Sequence, residues 1–283
     1  MRQLTEIADN RDSVATIVGL TGAFEGIASM RIAQIKDQVQ QSADFFAELW
    51  RIYNQIRVDE LFHFGRRQSV EQVINKELMI LITAEGGFSG DIDERLVREA
   101  LTHYRSEQND IIVIGHHGLV LLQQRGIRPK RSFQLPKRDR NITAEPLIDE
   151  VQRYESTIVY FQSYQSLASQ DIKTIKLATA VAERGKAVEV GEEVISESNY
   201  IFEPSTFAVV DHLERSMMQI TLSEVILESK LAQYASRFRA MSVAKERADE
   251  SLQDLTSQYM RAKRHIKDER LKEIINGLRG ASL

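Results

Sequence analysis

The sequence predicts an α/β protein: a long antiparallel coiled coil of N- and C-terminal helices, with a central Rossmann-like open α/β domain between them. Three observations predict it. Residues 205 to 276 contain no Gly or Pro, residues 1 to 58 contain no Pro, and the stretch between alternates short apolar runs with polar helical segments. The expected organisation is 1–58 and 205–283 as paired helices, with 59–204 as a separate α/β body.

In the C-terminal segment a 4-3 apolar spacing runs through Leu213, Met217, Ile220, Leu227, Leu231, Tyr234, Phe238, Met241, Ala248, Leu252, Leu255, Tyr259, Ala262 and Ile266. Glu224 and Lys245 stand in the same phase as polar, register-setting positions. At about 1.5 Å per residue this helix would extend for about 105 Å and would need a second helix to cover its seam. The N-terminal segment offers a thinner seam at Val14, Ile17, Thr21, Phe24, Ala28, Ile35, Phe45, Leu49, Ile52 and Ile56, interrupted by Arg31, Gln38 and Ser42. A bundle of folded-back helices would require loops, and the C-terminal segment supplies no turn residues.

Between the helices, Leu78 to Thr83 is a continuous apolar run of the kind a buried strand makes, followed by the Gly-rich turn Glu85-Gly86-Gly87-Phe88-Ser89-Gly90. Asp91 to Arg105 reads as an amphipathic helix with Ile92, Leu96, Ala100 and Leu101 inward, and Asp110 to Gly115 as a second buried strand. Strand, helix, strand implies a parallel pair joined by a right-handed crossover. A helix is expected at His117 to Gln124 and an exposed connection at Gly126 to Asn141. Further strands are expected at Thr157 to Tyr160, Ile172 to Val181, Val188 to Ile195 and Tyr200 to Phe202.

With 42% hydrophobic and 28% charged residues the chain has the composition of a folded protein, and a net charge of −4 gives no general attraction to nucleic acid. It has no cysteine, which excludes disulfides, thiolate metal sites and cysteine nucleophiles. No apolar run is read as reaching the length of a membrane span, and the start lacks a signal-peptide apolar region.

The chemistry-bearing candidates are weak. Glycines at 86, 87 and 90 follow a strand, yet their spacing matches neither the Rossmann nor the P-loop pattern. His116 and His117 diverge at a helix start, without a third ligand or a carboxylate nearby in sequence. Ser, His and Asp residues are scattered with no nucleophile-elbow context. No active site, metal or cofactor is therefore expected. A stripe of small side chains at Gly19, Gly22, Gly26, Ser29 and Ala33 permits close approach, either to the chain's own second helix or to another protein sliding past. Basic residues at Arg261, Lys263, Arg264, Lys267, Arg270 and Lys272 suit a helix C-terminus and a solvated face, or a partner contact.

Several ordered motifs carry a resemblance. Leu81-Ile82-Thr83-Ala84-Glu85-Gly86-Gly87-Phe88-Ser89-Gly90 resembles L-I-T-S-D-x-G-L-C-G, with Ser89 in the Cys position and Glu85 in the Asp position. Ile114-Gly115-His116-His117-Gly118 resembles I-G-x-K-G, and Tyr200-Ile201-Phe202-Glu203-Pro204 resembles Y-x-Y-E-P. Arg237-Phe238-Arg239-Ala240-Met241 is similar to R-M-x-A-M, Met30-Arg31-Ile32-Ala33-Gln34 to M-R-R-A-Q, and Leu271 to Gly277 to L-T-E-I-x-x-G. Together they resemble the gamma subunit, the central rotor shaft, of F-type rotary ATP synthases, over nearly the whole chain.

The resemblance implies a non-catalytic rotor subunit that couples ion flow through a membrane c-ring to conformational change in a ring of alpha and beta subunits. Its further partners would be an epsilon subunit and the c-ring itself, with no nucleic acid and no direct membrane span, on the cytoplasmic face of a membrane. Rotor–stator contacts would come from Gly19, Gly22, Gly26, Met30, Arg31, Gln258, Arg261, Lys263 and Arg264, and from Glu85, Phe88 and Ser89 facing a beta subunit. Tyr200, Phe202 and Glu203 would lie at the foot, by the c-ring. The chain departs from the family where K-I-T-K-A-M-E-M is replaced by Ile17-Val18-Gly19-Leu20-Thr21-Gly22-Ala23-Phe24, where N-x-x-R-Q survives only as Met260-Arg261-Ala262-Lys263-Arg264, and where Y-N-x-F keeps Tyr160-Phe161 without its Asn. These departures fit a specialised branch, proton- or sodium-coupled, in which steric shape rather than ion pairing transmits torque. The competing expectations are a non-rotary coiled-coil adaptor with an α/β head and a small-molecule enzyme with helical arms.

Overall fold

In the computed structural model, residues 2–55, 74–135, 144–186, 201 and 203–280 are described. The elements in chain order are α1 (Arg2–Gln55), β1 (Ile74–Ile82), α2 (Ile92–His103), β2 (Asn109–Ile114), α3 (His116–Gln124), β3 (Arg131–Phe133), α4 (Glu145–Val151), β4 (Tyr154–Tyr164), β5 (Gln170–Lys176), α5 (Leu177–Lys186) and α6 (Thr206–Gly280). Contacts divide the chain into two compact units. One is Ala28–Arg237, and the other combines Met1–Ile27 with Phe238–Leu283, so α1 and α6 contribute to both.

The larger unit is built on a five-stranded sheet of order β3-β2-β1-β4-β5. β1 lies parallel to β2 and to β4, with Ile80 opposite Ile112 and Val159, and β5 runs antiparallel to β4. The continuous apolar run of β1 has a direct cause, since successive side chains point to opposite faces and both faces are covered. Leu78, Ile80 and Ile82 join Ile112, Ile114 and Val159 against α4 (Leu147, Ile148, Val151) and α6 (Leu222, Val225, Ile226). Met79 and Leu81 face the other way, onto Leu96, Val97 and Ala100 of α2 and Leu122 of α3. Where α6 passes the sheet, from Thr221 to Ala235, burial extends almost all round the helix. Farther along, Phe46 and Trp50 of α1, Val181 of α5 and Met217 of α6 form a separate apolar cluster. Tyr53 donates to Glu214 at 3.0 Å, and burial, reinforced by this carboxylate, holds the phenol protonated well above its usual range.

The smaller unit is an antiparallel helix pair. Arg11 stacks over Tyr259, and Glu25 pairs with Lys245 at 3.4 Å, so ascending positions on α1 meet descending ones on α6. On α6, Met241 is buried and Ala248, Leu252, Leu255, Tyr259, Ala262 and Ile266 are half-buried, in the phase the heptad predicts. Leu4–Lys36 is long and apolar enough by length and composition to cross a membrane, contrary to the sequence expectation. Residues 13 to 30 carry one charge, Glu25, and it pairs with Lys245. Pairing with α6 covers one stripe of this helix and leaves Ile17, Leu20, Ile27 and Met30 exposed.

Other expectations need correcting. The seam on α1 continues from Ala28 through Ile32 and Ile35 to Phe46 and Trp50, all buried, whereas Ile17 is 48% and Phe45 59% exposed. Continuing the 4-3 spacing from Ile35 leads to Val39, Ser42 and Phe46. The expected seam places Gln38 and Phe45 in phase around Ser42, one residue short of Val39 and Phe46 on either side. The expected strand Ile172 to Val181 ends at Lys176 and gives way to α5. The run Leu177-Ala178-Thr179-Ala180-Val181 alternates like a strand, but its alanines favour a helix that buries Leu177 and Val181 four residues apart. The connection from Gly126 contains a short strand, β3, paired to β2 through Ile112–Arg131, Val113–Ser132 and Ile114–Phe133. Ile201 has no regular structure, while Tyr200, Phe202 and the expected strand Val188 to Ile195 lie outside the described residues.

Candidate functional site

The loop after β1 is fixed from several sides. Glu85 accepts hydrogen bonds from the backbone N–H groups of His116, at the start of α3, and Leu135, after β3. A carboxylate suits that helix N-terminus. Arg237 of α6 donates to the carbonyls of Gly86 and Gly87, each at 3.2 Å, and Ser236 donates to the carbonyl of Ser89 at 2.7 Å. Phe88 adopts φ +68°, a conformation non-glycine residues rarely take, and its ring is 62% exposed. Ser89 beside it is buried, so the loop turns Phe88 outward and Ser89 inward.

Beneath this loop lies a polar network. Asp93 on α2 is fully buried, and its carboxylate receives the Ala84 N–H at 3.3 Å, Gln162 Nε2 at 2.7 Å and His117 Nδ1 at 2.7 Å. Gln162 on β4 passes the network to Ser229 and Gln233 of α6. The hydrogen bond to Asp93 raises the His117 pKa, burial opposes it, and the charges of Asp93 and Glu94 add to the rise. The I-G-x-x-G pattern has a packing reason here. Gly115 sits at φ +98° with a would-be Cβ only 2.1 Å from the Thr83 carbonyl oxygen, and one on Gly118 would be 2.4 Å from Thr83 Oγ1. The Gly118 N–H donates to that hydroxyl, and Thr83 Oγ1 in turn donates to the Ile114 carbonyl.

The sequence missed this network, although Asp93 stands in the stripe Asp93, Leu96, Val97, Ala100, where an acid among inward positions marks a buried partner. His117 has a carboxylate partner after all, from 24 residues earlier in the chain. No group of His, Asp and Glu suited to a metal occurs among the described residues.

In the helix-pair unit, a Cβ on Gly22 would lie 3.8 Å from the aliphatic stem of Lys245, but one on Gly19 or Gly26 would meet nothing within 4 Å. Close packing against α6 is therefore not what these two glycines serve. Leu20 and Ile27 are exposed beside them. Gln258, Arg261, Lys263 and Arg264 are exposed on α6, with Lys263 over the Tyr259 ring. Gly22 lies across from Lys245 and Arg11 across from Tyr259, so the glycines and the basic residues occupy successive levels of the pair. Lys267 to Asn276 are exposed throughout, Leu271, Ile274 and Ile275 included. In the sheet unit Met30 is 53% exposed and Arg31 reaches Gln34 on its own helix. Glu203 is exposed, while Tyr200 and Phe202 lie outside the described residues.

Fold and surface define a class of protein: one unit is an open α/β sheet with a loop held by hydrogen bonds from several elements, the other an antiparallel helix pair with exposed apolar residues on α1 and exposed basic residues on α6. The sequence profile of the ATP synthase family matches residues 3–280. Among relatives, the ATP synthase gamma chains of Cytophaga hutchinsonii (22% identical), Chlorobium phaeobacteroides (25%) and Geobacter metallireducens (25%) align over 98% of this chain and 98% of their own length. The chain belongs to the ATP synthase gamma family, whose members are non-catalytic subunits of the complex. The fold is similar to that of a chain in the rotor of the Euglena gracilis mitochondrial ATP synthase, with a TM-score of 0.62 at 12% identity over 93% of this chain and 98% of that one. It is also similar to a chain in the central stalk and c-ring assembly of the Tetrahymena thermophila enzyme, with a TM-score of 0.56 at 18% identity over 80% and 99%.

Proposed function

We infer that this chain is the central-stalk rotor subunit of an F-type ATP synthase or ATPase. It couples ion flow through a membrane c-ring to conformational change in a catalytic ring of alpha and beta subunits, with an epsilon subunit as a further partner. The observation that carries the reading is the family match over residues 3–280, joined to an antiparallel pairing of the two ends of the chain. Such a subunit acts by making different contacts with each member of a pseudo-threefold ring, biasing each toward a different nucleotide affinity. It works in the peripheral F1 part of the complex, on the cytoplasmic face of the membrane. Segments 1–58 and 205–283 serve as the shaft and 59–204 as the body.

The contact surfaces follow from exposure. Residues 13 to 30 of α1 bring one charge, already paired with Lys245, so this face meets the ring through shape and apolar contact. Gly19 and Gly26, with Met30 and Arg31 further on, form that face, with Gly22 at its edge beside Lys245, and Gln258, Arg261, Lys263 and Arg264 add a solvated basic rim. Phe88, held outward by Glu85 and Arg237, meets a beta subunit while Ser89 supports it from within. Tyr200, Phe202 and Glu203 serve the foot beside the c-ring.

Co-expression with its alpha and beta subunits should yield a complex that hydrolyses ATP, and failure to assemble would reject the reading. Within that complex, replacing Arg261, Lys263 and Arg264 together by Ala should leave coupled hydrolysis largely intact, whereas Leu20→Asp should impair it. Near-complete uncoupling by the triple variant would show that ion pairs carry the torque.

A further inference from the structure

We propose that the His117–Asp93 pair is a pH-responsive latch on the loop Glu85–Gly90, closed when His117 is protonated and loosened when it loses its proton. The structural basis is a single buried acid shared by four elements. Asp93 is 0% exposed and ties α2 to the end of β1 through the Ala84 N–H, to β4 through Gln162, and to α3 through His117. Every one of those partners is a donor, so the site holds a carboxylate, and His117 is the only one of them able to bring a positive charge. The resemblance drawn above places His117 where the family pattern I-G-x-K-G has a lysine, whose charge is permanent at neutral pH. Here a group that titrates near neutrality stands at that position.

The loop answers to this pair through two connections. The His117 N–H donates to the Ala84 carbonyl at 3.0 Å, and the neighbouring His116 N–H donates to Glu85 at 3.2 Å. Any shift in the first turn of α3 therefore moves the root of the loop that displays Phe88. Other charges around His117 are few. α2 contributes Glu94, itself 3.6 Å from Arg125 at the far end of α3, and the loop contributes Glu85, bound to backbone N–H groups. α3 adds the adjacent, exposed His116. β1 and β2 place the uncharged Thr83 and Val113 against the next residue, Gly118, β4 presents the uncharged Gln162, and α6 reaches the network through Ser229 and Gln233, its Glu228 being taken by Ser163.

The sign follows from linkage. The hydrogen bond to Asp93 raises the pKa of folded His117 above that of a free histidine, about 6.5. The latch is fully engaged below that free value and is lost as pH rises through the raised one. On deprotonation the imidazole can still donate one hydrogen bond, but Asp93 is left as a buried charge without a counter-charge.

The test is hydrogen exchange of segment 83–90, corrected for intrinsic rates, from about pH 5.5 to about pH 9, read on the free full-length chain and again after assembly with the alpha and beta subunits. In the wild type, protection should fall across this range by about tenfold for each unit by which the His117 pKa is raised. His117→Lys should keep the protection flat with pH, and Asp93→Asn should lower it and flatten it. An unchanged pH profile in either variant, or a flat profile in the wild type, overturns the latch. If His117→Lys does not fold, the Asp93→Asn profile decides alone. The proposal concerns the loop assigned to partner contact above, yet exchange on the free chain is independent of assembly, so failure of the rotor reading and failure of the latch are separable.

Discussion

In the sheet unit, Gly115 and Gly118 are pressed against Thr83 so closely that a Cβ would lie 2.1 and 2.4 Å from its atoms, while in the helix-pair unit Gly19 and Gly26 face open space. The same residue type thus answers two different needs. In the sheet the glycines let a strand end and a helix start share one position, a requirement internal to the fold. In the helix pair nothing of the chain's own occupies the room they leave, although each glycine weakens the helix by about 1 kcal/mol relative to alanine. Hydrophobic residues show the same contrast. Leu78, Ile80, Leu81, Ile82 and Ile112 are fully buried, whereas Ile17, Leu20, Ile27, Leu271 and Ile274 are each 46 to 60% exposed. The sheet unit has a core satisfied by its own packing, with isolated exposed residues such as Phe45 and Phe88, whereas the helix pair has only a half-buried seam and exposes apolar residues along both helices.

The sharpest break of this contrast is Gly115→Ala. It combines a positive φ with a clash against backbone, so it should cost roughly 3–5 kcal/mol, read as a lowered urea midpoint of the chain. Gly118→Ala should follow it at a smaller cost, since the obstructing atom is a side-chain hydroxyl. A near-neutral Gly115→Ala would mean that β1 and α3 are not held as tightly as the geometry indicates.

Truncating core residues sharpens the same comparison. Ile226→Ala removes a side chain that is 1% exposed and packed on β1, and should cost about 2–5 kcal/mol. Leu252→Ala removes a half-buried seam residue from the helix pair and should cost about 1 kcal/mol. The difference should shrink once alpha and beta subunits cover the pair, because Leu252 then gains neighbours while Ile226 does not.

Next in size, Gly19→Ala and Gly26→Ala should each stabilise the free chain by about 1 kcal/mol, seen as increased helicity and a raised melting temperature. In the assembled complex the same changes should slow coupled hydrolysis. Stabilisation without loss of activity would remove the case for a sliding face at these positions.

How much of this could be read beforehand depended on where the information sits. The α6 seam was legible to within its phase because one period runs through Met241, Leu252, Leu255, Tyr259 and Ile266 without a turn residue. β1, β2 and α2 were legible because a buried parallel strand is a continuous apolar run and a surface helix is a stripe. The α1 register was misread at Phe45, since Phe45 and Phe46 are adjacent and the polar Gln38 and Ser42 before them leave the phase unmarked. α5 was misread because a run of five mostly apolar residues, Leu177 to Val181, is too short to tell a strand period from a helix period. The pairing of whole elements was legible, but polar contacts between individual side chains distant in sequence were not. Asp93 meets His117, Gln162 and, through it, Ser229 only once the sheet has formed. The one-residue anomaly of an acid in an apolar stripe was its sole trace.

The smallest expected effect concerns the polar break in the seam of the helix pair. Lys245 reaches Glu25 at 3.4 Å, and its side chain is 42% exposed against 21% for Glu25. A Cβ on Gly22 would lie 3.8 Å from the stem of Lys245, so the methylenes pack where a heptad would place an apolar residue and the ammonium emerges at the edge. An ion pair that open to solvent contributes little, so a double-mutant cycle with Lys245→Met and Glu25→Gln should give a coupling of at most about 1 kcal/mol, declining with added salt. Lys245→Met alone should be close to neutral, because it keeps the stem and removes only the exposed charge. The alternative is that the pair sets the register, and it predicts a different signature. Met at 245 would then leave stability unchanged but broaden the thermal transition and loosen the contact of Arg11 with Tyr259, since the helices could slip by a heptad. Fluorescence of a probe at position 259 separates the two, because a slip moves it away from Arg11 while a merely weakened pair leaves it in place.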